Sequence, residues 1–241
     1  MARFPRSAFI AWLFIAAAAF AQAASAASAQ DADARFEALG KRYVEEFGRF
    51  SPVSATQLGD HRTDAELDDL SAAGRARTLA WVKELLAELQ ALDRARLSRA
   101  NQVDAAMLEN QLRYSVWSEE KYRDWSWDPL LYTQLTGQAI YGLLARDFAP
   151  LPERLRSVTA RLEKLPGLLE QTRSNLVPER VPAIHAETAL KQNPGVLSLV
   201  DELVVPAMTQ LPEAERARLD RAIANARTAV QAHQQLSLIH I

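Results

Sequence analysis

Phe50-Ser51-Pro52-Val53-Ser54-Ala55-Thr56-Gln57-Leu58-Gly59-Asp60-His61 sets one short apolar turn of helix between a proline start and a glycine stop. Ser51 is placed to cap the turn, Pro52 suits its first position, and Gly59 can take the left-handed conformation that ends it. The chain then enters Asp60 to Leu70, an acidic stretch without hydrophobic period. A helix ends before this run and another begins after it, so the run predicts a chain of helices joined by short loops.

Outward from it, the period stays helical. Phe36, Leu39, Tyr43, Val44 and Phe47 make Asp31 to Arg49 an amphipathic helix. Ser71 opens a long helix whose face carries Leu79, Val82, Leu85, Leu86, Leu89 and Leu92. Ser98 caps another, with Val103, Met107, Leu108, Gln111, Tyr114 and Trp117 expected on its buried side. Tyr122 to Pro129 breaks the pattern, and Asp128 is biased away from helix by the following proline. Helix resumes over Tyr132 to Ala145. Pro152 starts a further helix with Leu155, Val158, Leu162 and Leu165 inward and an expected kink at Pro166. Val181 to Gln192 reads as helix, Asn193-Pro194-Gly195 as a breaker, and Val196 to Met208 as an apolar run. Pro212 opens the last helix, towards Gln235. No segment alternates with period two. The expected fold is all-α, with long antiparallel helices joined by short loops.

The bulk composition agrees. Hydrophobic residues make up 49% and charged residues 24%, and only 8 glycines are present among abundant helix formers. Lys and Arg total 28 against 30 Asp and Glu, which argues against a nucleic-acid partner. No cysteine is present, so disulfides and thiolate metal sites are excluded. At the N-terminus, Arg3 and Arg6 precede the apolar run Ala8 to Ala21, and small-x-small sites follow. Residues 1–26 are expected to be a secretory signal peptide, cleaved after Ala23 or Ala26. The apolar run is short for a membrane span, so no stable anchor is expected. The protein is expected to be exported, to the periplasm or outside.

The 4 histidines and the carboxylate pairs are the candidates for chemistry. His61, His185, His233 and His240 supply no pair one helical turn apart with a glutamate beside it, the pattern a zinc hydrolase needs. His185 and Glu187 would lie about 200° apart around a helix. Glu45-Glu46 and Glu119-Glu120 read as solvated faces. Asp64, Glu66, Asp68 and Asp69 lack the glycine and terminal glutamate of a calcium loop. His61 reads as a solvated or turn-stabilising residue. The cluster Trp117, Tyr122, Trp125, Trp127, Tyr132 and Tyr141 is either a packed corner or the wall of a peptide- or sugar-binding cleft. The sequence thus assigns no catalytic, cofactor-binding or metal-ligating residue.

Several runs together resemble one family. They are Phe50-Ser51-Pro52 with Ala55-Thr56 and Leu58-Gly59-Asp60-His61; Leu97-Ser98-Arg99-Ala100 with Asp104; Trp127-Asp128-Pro129 with Tyr132-Thr133; Ala145 to Leu151; and Arg154-Leu155 with Arg161-Leu162-Glu163 and Leu165-Pro166. The family is the bacterial "domain of unknown function 885", and the resemblance covers about Phe36 to Gln235. It implies a helical zinc metallopeptidase of gluzincin type, usually more than twice this length. The family's metal motif lies in its C-terminal half, and no residue here matches it. By resemblance, residues 31–235 are the N-terminal portion of one helical domain that packs on a C-terminal half. The full-length protein is expected to hold zinc and cleave peptides, while this portion alone is inactive. The alternative is a complete, non-enzymatic periplasmic helical module that binds a protein or peptide. Residues 236–241, Leu-Ser-Leu-Ile-His-Ile, coincide with the translation of a transposon adapter end and are expected to be a non-native read-through tail.

Overall fold

A computed structural model describes the backbone of residues 30–239 and the side chains of residues 30–234. The expected signal peptide lies outside the described residues, as do the side chains of the expected read-through tail. The elements are α1 (30–50), α2 (Pro52–Leu58), α3 (Ala72–Ala91), α4 (Arg99–Trp117), α5 (Pro129–Leu144), α6 (Leu151–Asn175), α7 (Ala183–Leu199) and α8 (Glu213–Ile239). No strand occurs among the described residues, so the fold class is all-α.

The chain divides into two compact units. Among the described residues, the first comprises 30–43 and Val82–Tyr114. Its core joins Phe36 and Leu39 of α1, Val82, Leu85 and Leu89 of α3, and Ala105 and Leu112 of α4. Asp33 accepts from the Ser98 backbone N–H at 2.9 Å, and the Ser98 hydroxyl caps α4 by accepting from Asn101 N–H at 3.3 Å. That cap was expected; the face was not. Val103 and Tyr114 are exposed, and Met107 is 68% exposed. Ala105 and Leu112 are buried instead, and Leu108, which was expected, is half-buried beside them. A small alanine carries the buried stripe, which makes it the weaker pattern by eye.

Among the described residues, the second unit comprises Val44–Trp81 and 115–239. Its frame is a square of four helices: α5 touches α6 and α7, and α8 touches the same two. The contacts Asp128–His185 and Thr133–Asn193 make α5 and α7 run in the same direction. Arg156–Glu215 and Glu163–Arg218 do the same for α6 and α8. The core holds Leu155, Val158, Leu162, Leu165 and Leu169 of α6 against Leu219, Ile223, Ala226 and Val230 of α8. Each large aliphatic side chain so buried contributes roughly 1.5–3 kcal/mol. α6 continues through Pro166 to Asn175.

Three local expectations need correction. Ser51 precedes α2 but makes no side-chain cap; the orphan Val53 N–H is taken by Asp68 Oδ2 at 3.2 Å, from the following loop. Asn193-Pro194-Gly195 does not break the chain: α7 runs through it. Asn193 is buried and receives the Thr133 hydroxyl at 3.2 Å, so packing on α5 outweighs the hydrogen bond that Pro194 omits. Val44 is exposed rather than packed. Gly59 does close α2 as expected, at φ 91°, with Asp60 N–H returning to Ala55 O at 2.9 Å.

Candidate functional site

The acidic stretch after α2 is a strap rather than a solvated loop. Arg161 Nε donates to Glu66 O at 2.9 Å and Lys164 Nζ to Ala65 O at 2.8 Å. Further along α6, Gln171 Oε1 accepts from Leu70 N–H at 2.8 Å, and Asn175 Nδ2 donates to Leu70 O at 2.8 Å. Residues 64–70 therefore run along α6, with Leu67 and Leu70 packed on the core.

Arg161 is the centre of this junction and is 1% exposed. Besides Glu66 O, it donates to Ala139 O at 2.9 Å, Pro52 O at 3.3 Å and the Thr56 hydroxyl at 2.7 Å. The Thr56 hydroxyl in turn donates a hydrogen bond to Asp64 Oδ1 at 2.6 Å. The second Asp64 oxygen meets His61 Nδ1 at 2.9 Å, and the imidazole stacks on Phe148 with centroids 3.5 Å apart. Burial pushes the guanidinium down to about 10, against the pull of Asp64, Asp68 and Glu66. The cation that answers the acidic run is thus an arginine from α6.

The turn before α6 is built the same way. Arg154, also buried, donates to Ala149 O, Leu144 O and Arg146 O and pairs with Asp147 at 2.6 Å. Arg146 Nη1 reaches Gln57 O at 3.1 Å. Three of the sequence runs quoted above therefore meet at one place, and each uses its polar groups to satisfy backbone.

The aromatic residues form a corner that is buried at Tyr132, half-buried at Trp125 and Trp127, and exposed at Trp117 and Tyr122. Trp117 stacks on Tyr122 with centroids 4.9 Å apart, Tyr122 meets Trp127 edge-on, and Trp127 leans on His185. The Arg75 guanidinium lies 3.8 Å over the Trp125 ring, with Arg123 near the same ring. Tyr132 donates to Trp125 O, and burial pushes its phenol up to about 12. The carboxylate pairs are partnered as well: Glu46 accepts from Trp81 Nε1 at 2.7 Å and Glu119 from Arg75 at 3.1 Å.

Tyr141 stands apart from that corner, half-exposed on α5. It belongs to an open groove of about 560 Å³ lined by Leu130, Thr133, Gln134, Gly137, Gln138, Tyr141, Gln192 and Leu199. Side chains of α5 and α7 face each other across it, and the Leu199 methyl lies 3.9 Å from where a side chain on Gly137 would begin. A Cβ at Gly137 would meet that methyl at ordinary van der Waals distance. The lining holds three carboxamides, one hydroxyl and one phenol, and no charged group. Gln138 also accepts from Gln57 Nε2 of α2. At the start of α5, Asp128 accepts from Leu130 N–H at 3.0 Å and meets His185 Nδ1 at 2.9 Å. The groove can offer neutral donors and acceptors over an apolar floor; it carries no titratable group except the phenol.

Of the residues singled out in the sequence, Tyr141 lines this groove, as does Thr133 of a family-like run. Gln134, Gln138 and Gln192 were missed, because polar residues on a helix face carry no signal until the neighbouring helix is placed. A zinc site does not fit the described residues. His61 is committed to Asp64 and Phe148, and His185 to Asp128. His233 is buried on α8, where burial and Arg173 push its imidazole down. No group of three or more potential metal ligands gathers among the described residues. Among them, too, no helix is long and apolar enough to cross a membrane.

No curated protein matches the chain. A solved structure from Shewanella oneidensis, described as "a putative lipoprotein of unknown function", is similar at 28% identity and a TM-score of 0.79. The similarity covers 85% of this chain and 37% of that one, so the chain spans little more than a third of its solved neighbour. Residues 52–238 match the family model described as bacterial protein of unknown function, DUF885. With the match extending over most of the chain, and over all of α2 to α7, the protein belongs to the DUF885 family.

Proposed function

We propose that this chain supplies a peptide-binding wall of a larger, exported, peptidase-like protein, and that alone it binds peptide without cleaving it. The α5–α7 groove carries this reading. Its volume is in the range of ligand pockets. Carboxamides that both donate and accept suit a peptide backbone, and Tyr141 offers a ring for a side chain to pack on. The leader-like N-terminus supports export. The short span relative to the solved neighbour supports a larger whole. Zinc belongs to that whole by family resemblance, and no step is assigned to it on these residues.

Two measurements test the reading. Titrating the chain with a tryptic digest of casein should give saturable binding, and Tyr141→Ala should weaken it about tenfold, equivalent to about 1.4 kcal/mol. Binding unchanged in that variant would remove the groove from the account. Hydrolysis of the same digest, with zinc added, should be absent for this chain and present for a longer family member. Cleavage by this chain alone would sink the division of labour. Binding without cleavage by the longer protein would select the other reading, a non-enzymatic peptide-binding module.

A further inference from the structure

α4 has two apolar faces, and the first unit buries one of them. Ala105 and Leu112 lie in its core, with Leu108 half-buried beside them. At about 100° per residue, the opposite side carries Val103, Met107, Asn110 and Tyr114. All four are exposed, Val103 at 42%, Met107 at 68% and Tyr114 at 52%. Single exposed apolar side chains are ordinary; a line of them along one helix is not. Their spacing of four, three and four residues is the heptad repeat of a coiled-coil seam. Met107 and Tyr114 hold its a positions, and Val103 and Asn110 its d positions. Ala105 and Leu112 then both fall at f, directly behind the seam. Packing in the first unit therefore leaves the seam open.

The flanks of the seam select its occupant. Arg99 stands at g and Asp104 at e, and both are exposed. Among the described residues neither enters an ion pair. Arg113, the other charged flanking residue, is held by Glu109 at 2.8 Å. In a parallel two-stranded coil, a g residue meets the e residue five positions further along the other chain. Arg99 of one copy thus faces Asp104 of a second, and the two-fold axis repeats the pair on the other side. Asn110 meets its own equivalent. A carboxamide both donates and accepts, so that pair satisfies itself and fixes the register.

We propose that α4 is a self-association helix, through which two copies of this chain pair in parallel. Val103, Met107, Asn110 and Tyr114 form the seam, and Arg99 of each copy lies on Asp104 of the other. The seam runs for only about two heptads, so the dimer is weak and depends on concentration. The exposed charge pairs choose partner and orientation more than they add affinity.

Sedimentation equilibrium of the whole chain tests this. Between about 1 and 100 μM, the average mass should rise from that of a monomer towards that of a dimer. Met107→Glu opposes two carboxylates in the seam and should raise the dimer Kd about hundredfold. Met107 is exposed in the monomer, so the variant should keep its helical circular dichroism. Arg99→Asp and Asp104→Arg each set like charges together and should each weaken association about tenfold. Mixed in equal amounts, these two variants carry opposite charges at both pairs and should associate as tightly as wild type. A wild-type chain still monomeric at about 100 μM would overturn the pairing and leave this face to the remainder of a longer protein. A dimer unmoved by Met107→Glu would place the contact elsewhere and overturn it equally. A mixture no tighter than the single variants would overturn the parallel register.

Discussion

Arg161→Met is expected to destabilise the second unit by about 3–5 kcal/mol, the cost of removing one member of a buried charged network. The side chain is 1% exposed and donates to four acceptors on α2, the strap and α5. A methionine fills much of the volume but donates nothing. Pro52 O, Ala139 O and Glu66 O then lose a partner in a place water reaches poorly, and each such loss costs about 1–3 kcal/mol. Thr56 loses its donor, and Asp64 and Asp68 lose the cation that offsets them. The summed penalties exceed the expected figure because the strap can lift and let water in. Urea denaturation followed by helical circular dichroism measures the change, and a melting temperature lower by about 10 °C should accompany it. Arg161→Lys should recover only part of the loss, since one ammonium cannot span acceptors on three elements. A methionine variant within 1 kcal/mol of wild type would mean that the junction is held by apolar packing alone.

The fold was legible where hydrophobic spacing and burial coincide. Leu155, Val158, Leu162 and Leu165 repeat at 3.6 residues, and all four are buried. Where two faces compete, the reading failed. On α4 the larger residues Val103, Met107 and Tyr114 look like a core stripe, yet Ala105 and Leu112 fill that role. Asn193-Pro194-Gly195 carries every local mark of a break, and contacts with α5 override it. The strap escaped for a related reason. Its carboxylates look solvated in sequence, because Arg161 and Gln171 stand about a hundred residues away in the chain. The groove was invisible beyond Tyr141 and Thr133, since it exists only once α5 and α7 lie side by side. The sequence runs that carry the family resemblance were visible from the start. Three of them meet at Arg161, Arg154 and the His61–Phe148 stack, where they satisfy backbone and bury charge. A residue pattern can therefore report a junction common to a fold and say nothing of the reaction its members perform.

Gly74→Ala carries the second large effect, expected at about 3 kcal/mol of lost stability, near the upper end for overpacking a tight site. Helix propensity alone predicts the opposite sign: alanine in place of glycine within a helix gains roughly 1 kcal/mol. Gly74 sits in the first turn of α3, where its N–H is capped by the Ser71 hydroxyl at 3.0 Å. A Cβ there would stand 2.2 Å from the Asp69 carbonyl oxygen and 2.5 Å from the Asp69 side-chain carbon. The first of these neighbours is backbone, so relief requires moving the chain. Asp69 cannot move cheaply, since its carboxylate receives Ser71 N–H at 3.1 Å and Gln171 Nε2 at 3.2 Å, and Arg77 pairs with it. The adjacent Leu70 carbonyl holds Arg75 and Asn175. Displacing Asp69 therefore pulls the strap off the last turns of α6. Gly167→Ala is the matched control, because that glycine lies inside α6 with nothing within 4 Å of the new methyl. It should gain roughly 0.5–1 kcal/mol. Urea denaturation of the pair should give opposite signs. Two stabilised variants would show that the chain at Asp69 yields freely and that the strap is not anchored there.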